Sequence, residues 1–149
     1  MSTQSVVTKR VAQAGSRPGR RSRAVVPTPR VLDSSCWLEF FADTPHADAY
    51  AGAIDEVQHL VVPVLTVYEV VKKLARDTHE DVAAAALALM QRGQVVGIDL
   101  PLAMQAAVNG LPMADSLIYA TAQAHGAELW THDAHFDGLP GVRYLAKGA

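Results

Sequence analysis

At 149 residues, half of them apolar and 19% charged, the chain has the length and composition of one globular domain with a single buried core. Its formal net charge of −2 hides a division: residues 1–30 hold seven of the thirteen Lys and Arg and no acid, whereas residues 31–149 hold six bases against all fifteen acids, a net of −9. Such a body repels polyanions unless metal ions or the basic segment offset it, the single Cys excludes an internal disulfide, and no apolar run reaches the ~20 residues of a membrane helix, so a cytoplasmic setting is expected.

Residues 1–29 are rich in Ser, Thr, Arg, Pro and Gly and lack both sustained periodicity and the apolar stretch of a secretory signal. They read as a basic, disordered tail ahead of a domain spanning 30–149. Arg30 to Leu32 is a short strand, crowded by Pro27 and Pro29, and Ser34 to Phe41 and His46 to Val57 follow as helices. Cys36, between Ser35 and Trp37, reads as a buried apolar residue. Leu60 to Val62 is a second strand that Pro63 ends. Thr66 to Arg76 has Val67, Val70, Val71 and Leu74 on one helical face and Glu69, Lys72, Lys73 and Arg76 on the other. A second helix, Thr78 to Arg92, opens on Thr78 as a cap. Val95 to Ile98 is a third strand, Pro101 to Val108 a helix stopped by Asn109-Gly110, and Ala114 to His125 a helix stopped by Gly126. Glu128 to Thr131 and Val142 to Leu145 complete the strands. This alternation specifies the α/β class, with a mostly parallel central sheet and helices on both faces in three α/β/α layers.

Four carboxylates stand where an apolar strand or turn hands over to a helix: Asp33, Glu69, Asp115 and Asp133. Ligands of parallel sheets collect outside the carboxyl ends of the strands, so the topology can gather all four on one rim. Their mutual repulsion then favours a hard divalent cation and phosphodiester chemistry. Each acid also has a structural reading. Asp33 can cap the helix at Ser34, and Glu69 stands three residues after Thr66, the spacing of a capping box, or pairs with Lys72 or Lys73. Asp115 complements a helix dipole, and Asp133 suits a turn. His132 and His135 are i, i+3 without a nearby Cys or third His, the pattern of surface histidines more than of a zinc site.

Four segments carry a resemblance. Val31-Leu32-Asp33-Ser34-Ser35 is similar to the opening hydrophobic-Asp-Thr/Ser-Ser motif of the PIN-domain nucleases, and Pro63 to Glu69 to their Pro-x5-Glu step into a helix. Leu111 to Thr121 and Leu129 to Phe136 resemble their Leu-Pro-x-x-Asp-x-Leu-Ile-x-Ala-Thr and Leu-x-Thr-x-Asp-x-x-Phe segments. Within that family the chain most resembles the VapC-type toxins, over about residues 30–146. The resemblance implies a PIN-like domain, Mg²⁺ or Mn²⁺, hydrolysis of RNA, a homodimer and a VapB-type antitoxin. It also assigns Asp33, Glu69, Asp115 and Asp133 to the acidic quartet, with Asp33 and Asp115 on the ion and Glu69 and Asp133 on waters or a second ion. Ser34 and Thr131 become hydroxyls that orient water or phosphate, and Lys72, Lys73 and Arg76 a guide for the RNA backbone or simply a solvated face. The apolar residues Trp37, Phe40 and Phe41 offer an antitoxin a docking surface or pack in the core. Two other functions compete with this reading: a non-catalytic PIN-fold binding module, and an α/β phosphatase, which needs a second Asp where Ser35 stands.

Overall fold

The computed structural model describes residues 27–146, and the basic tail expected over 1–29 falls almost wholly outside them. Five strands, β1 (Arg30–Leu32), β2 (Val61–Pro63), β3 (Gln94–Val96), β4 (Glu128–Thr131) and β5 (Val142–Tyr144), are all paired in parallel. The pairs β2–β3 and β1–β4–β5 meet through a parallel bridge between Arg30 and Leu60, so the strand order is 3-2-1-4-5. Order therefore reverses between β1 and β4, the switch point at which sheets of this kind bind ligands. Asp33 follows β1 directly and Asp133 lies two residues past β4.

Six α-helices cover the sheet: α1 (Ser34–Phe41), α2 (Asp48–Asp55), α3 (Val64–Asp77), α4 (Glu80–Met90), α5 (Leu100–Ala107) and α6 (Met113–Ala124). Alternation along the strands decides which residue meets which layer. Leu32, Val62 and Trp130 point into a core built by α1 to α4, with Trp37, Phe41, Tyr50, Ile54, Val70, Leu74 and Met90. Val31, Val61 and Leu129 point the other way, against Ile118, Tyr119 and Ala122 of α6 and against Phe136. Outside α6 lies α5, which packs on it through Leu102, Ala106 and Ala120. The expected three layers are thus present, and among the described residues no helix is long and apolar enough to cross a membrane.

Helix ends explain where the residue pattern and the structure differ. In α3 the first helical residue is Val64, preceded by extended Pro63, so Thr66 lies inside the helix instead of capping it. Its hydroxyl is buried without a hydrogen-bond partner among the described residues, and the capping-box role for Glu69 disappears. Likewise Thr78 closes α3, its hydroxyl donating to the Leu74 carbonyl, while His79 caps α4 by accepting from the Asp81 amide. Two one-turn 3-10 helices, Val57–His59 and Ala134–Phe136, were not expected. Gly126 does terminate α6: at φ 60° it lets the Ala127 amide reach the Ala122 carbonyl at 2.8 Å and its own amide reach that of Gln123 at 3.2 Å. That turn aims the chain straight into β4.

Trp37, Phe40 and Phe41 are 1%, 3% and 0% exposed, which removes them as an antitoxin docking surface. They stack in the α1 core, with Trp37 and Phe41 ring centroids 5.9 Å apart, because three helices and a sheet face converge there. His132 is also interior, at 5% exposure, not a surface histidine. The Tyr50 hydroxyl meets its Nε2 and the Leu145 carbonyl meets its Nδ1 at 2.7 Å. Cys36 is buried as expected, its thiol donating to the Trp130 carbonyl at 3.3 Å. Burial pushes that thiol far above the ordinary range, so it carries no thiolate chemistry.

Candidate functional site

Asp33 is the N-cap of α1, its Oδ1 accepting from the Cys36 amide at 3.2 Å, so the capping role read from the sequence is real. Yet the same carboxylate also accepts the Ser35 hydroxyl on Oδ1 and the Thr131 hydroxyl on Oδ2. It is 5% exposed, a depth at which a carboxylate requires such donors. Three of its roughly four lone-pair positions are thereby filled.

Thr131, the fully buried last residue of β4, joins two of the acids. Besides donating to Asp33, its oxygen accepts the Asp133 amide at 2.8 Å. Asp133 in turn caps the 3-10 helix Ala134–Phe136, its Oδ1 accepting from the His135 amide at 2.9 Å. Ser34 serves Glu69 in the same way: its hydroxyl donates to Oε1 across 35 residues at 2.8 Å, joining α1 to α3. Both hydroxyls thus bond to carboxylates.

Electrostatics tie the four acids into one field. Burial pushes the Glu69 carboxyl up, the Ser34 hydrogen bond opposes this, and the charges of Asp115 and Asp33 push it up further. Asp115, in the first turn of α6, is likewise raised first by burial, held back by the His135 hydrogen bond, and raised again by Asp133 and Asp33. Repulsion of this kind opposes ionisation at neutral pH unless a cation compensates it.

Contact geometry divides the quartet. Oxygens of Asp115 and Asp133 and a ring nitrogen of His135 lie within 4.8 Å of one another, the one such group of three among the described residues. His135 Nδ1 is 3.1 Å from Asp115 Oδ2 and 3.3 Å from Asp133 Oδ1. Asp33 and Glu69 stand outside that group, each turned to its own hydroxyl donors. The donor set of carboxylate oxygens and one imidazole suits a divalent cation. His135 is a surface histidine as read from the sequence, 61% exposed, but its place beside Asp115 and Asp133 was not foreseen; the signal was the i+2 spacing from Asp133, which becomes meaningful only once a 3-10 turn folds the ring back. Of the expected basic guides, Lys73 and Arg76 both bind Asp77 at 2.9 Å, and Lys72 bonds the Tyr68 hydroxyl at 3.1 Å. Lys73 and Arg76 thus share one carboxylate, and Lys72 keeps its charge beside a neutral hydroxyl.

Comparisons with known proteins agree with this layout. A family model described as the PIN domain matches residues 30–142. The fold aligns with a toxin–antitoxin complex from Klebsiella pneumoniae at TM-score 0.66 and 24% identity, over 76% of this chain and 95% of that one. It also aligns with VapBC2 from Rickettsia felis bound to a promoter DNA fragment, at TM-score 0.60 and 15% identity over 80% and 98% of the two chains. A third similar structure is Mycobacterium tuberculosis VapC20, a sarcin-ricin loop cleaving toxin, at TM-score 0.55 and 17% identity over 72% and 90%. No curated protein sequence matches the chain.

Proposed function

Because this chain belongs to the PIN domain family, we propose that it is a Mg²⁺- or Mn²⁺-dependent endoribonuclease, the toxin of a type II pair restrained by a VapB-type antitoxin. The observation that carries this reading is the rim at the β1–β4 switch point, where burial and the charges of neighbouring acids push the Glu69 and Asp115 carboxyls up. Asp115, Asp133 and Glu69 each keep one carboxylate oxygen without a hydrogen bond among the described residues, and Asp33 has room for one further bond. When bound, the ion supplies an activated water and carries charge on the phosphoryl oxygens. Glu69 keeps Oε2 without a hydrogen bond among the described residues, and the role given to it is to orient the attacking water. Thr131 fixes the spacing of Asp33 and Asp133 from a fully buried position, while Glu69, Asp115 and Asp133 stay partly open to solvent, where an RNA strand can reach them.

The direct test incubates the purified chain with structured RNAs and Mg²⁺ or Mn²⁺, with a chelator as control. Ion-dependent cleavage is the expected result, and absence of cleavage with both ions leaves a PIN-fold binding module in its place. Ser34→Ala removes the one hydrogen bond that lowers Glu69, so its carboxyl rises further. If Glu69 must be ionised, the acidic limb of the pH–rate profile moves to higher pH in this variant, with little change on the alkaline side.

A second copy of the chain is the partner assigned to α5. Leu100, Met104 and Val108, at 74%, 62% and 83% exposure, recur every four residues, and Met113, at 77%, opens the next helix. Residues 100–113 carry no charge, so two copies of an acidic body can meet there without repulsion. Met104→Asp is expected to convert a dimer to a monomer by light scattering with unchanged circular dichroism; a monomeric parent chain refutes the assignment.

A further inference from the structure

We propose that His135 is a metal ligand through Nδ1, completing a mixed nitrogen and oxygen site with Asp115 and Asp133 that selects a transition-row divalent ion such as Mn²⁺ or Co²⁺ over Mg²⁺. The proposal rests on reading the acidic rim as a metal site and specifies which ions that site takes. His135 is 61% exposed, so its ring has open solvent available. It instead turns Nδ1 onto two carboxylates from different elements, Asp115 of α6 at 3.1 Å and Asp133 of the 3-10 turn at 3.3 Å.

Those separations fit a shared ion. Neighbouring ligands around an octahedral cation, each bonded at about 2.1 Å, stand about 3.0 Å apart. Local structure fixes the ring's approach: the Asp133 carboxylate accepts the His135 amide at 2.9 Å, so residue 135 cannot leave the cluster without losing that bond. Nε2 makes no hydrogen bond among the described residues, and the ring's exposure leaves it water as the outer partner that ligating imidazoles use.

Selectivity follows from ligand chemistry. Mg²⁺ demands hard oxygen ligands and gives up its waters reluctantly, so an imidazole gains it little. Affinity for a nitrogen-containing site climbs from Mn²⁺ to Co²⁺ and beyond along the first row. The competing account makes His135 a hydrogen-bond donor that only steadies Asp115 and Asp133. In that account the ring has no bond to the ion and the preference is set by oxygen alone.

Pulsed electron paramagnetic resonance of the Mn²⁺-loaded full chain separates the two. A directly bonded ¹⁴N coupling is expected, replaced by ¹⁵N when histidine alone is labelled, which requires no variant to fold. In His135→Ala the coupling should vanish, Mn²⁺ affinity should fall at least tenfold, and Mg²⁺ affinity measured by competition should change less than threefold. Saturable Mn²⁺ binding without any histidine nitrogen coupling overturns the proposal while leaving the metal-dependent nuclease intact. If the parent chain binds neither ion, the metal site itself fails and the proposal with it.

Discussion

Asp115→Asn is expected to cleave RNA at least about 10³-fold more slowly than the parent chain while melting a few degrees higher in the absence of metal. The two effects share one cause. Asp115 is raised by burial and by the charges of Asp133 and Asp33, so in metal-free protein its ionised form works against the fold. An acid whose folded pKa lies above its unfolded value lowers stability as pH rises through that window and restores it as pH falls. The Asp115 contribution should therefore return as pH falls through the upper carboxylate range, between its raised folded value and the ordinary Asp value. Asn keeps the shape and can still accept from His135, removes the repelled charge, and should add on the order of 1 kcal/mol at neutral pH while flattening that dependence. A divalent ion reverses the ledger, because it needs the charge that Asn lacks. Thermal melts with chelator and with Mn²⁺, beside cleavage rates, check both halves. A variant that cleaves like its parent, or that melts lower without metal, contradicts the role given to Asp115.

What the residues alone disclosed was local, and what they withheld depended on distant contacts. β1, β4 and α1 have the bounds read from the sequence, since Val31, Leu32 and Leu129 alternate between two faces and Asp33 is a strong cap. Thr66 misled because Thr-x-x-Glu looks the same at a helix start and one turn inside it; Pro63 in extended backbone marks the true start without any capping side chain. His132 resembles an exposed turn residue until Tyr50, 82 residues earlier, supplies its partner. The aromatic face of α1 can be assigned to core or surface only when the helices that cover it are known. Within the site, the four acids were legible from their junctions. Their unequal bonding was not, because the hydroxyls that separate Asp33 and Glu69 from Asp115 and Asp133 arrive from other elements.

Thr131→Val should be the most damaging change that leaves every acid in place. Val matches the shape and β-branching of Thr, so the strand and its packing survive. What disappears is a hydroxyl that donates to Asp33 Oδ2 and accepts the Asp133 amide in a position with no exposure. A charge-assisted hydrogen bond to a buried carboxylate and an orphaned amide together amount to about 2–4 kcal/mol, a large part of the 5–15 kcal/mol that holds a domain of this size. Function suffers through distance: Asp133 and the His135 beside it are tied to the end of β4 only through that oxygen and the chain itself. Loosening a reacting constellation by ~1 Å costs about 10²-fold in rate. Thr131→Ser, which restores the oxygen but loses a methyl group, should cost about 1 kcal/mol and keep cleavage within a few-fold of the parent. Urea denaturation and single-turnover cleavage under conditions where both variants stay folded distinguish the alternatives. Should Val and Ser cleave equally well, Thr131 holds the fold together but does not set the spacing of the acids, and the positioning role falls.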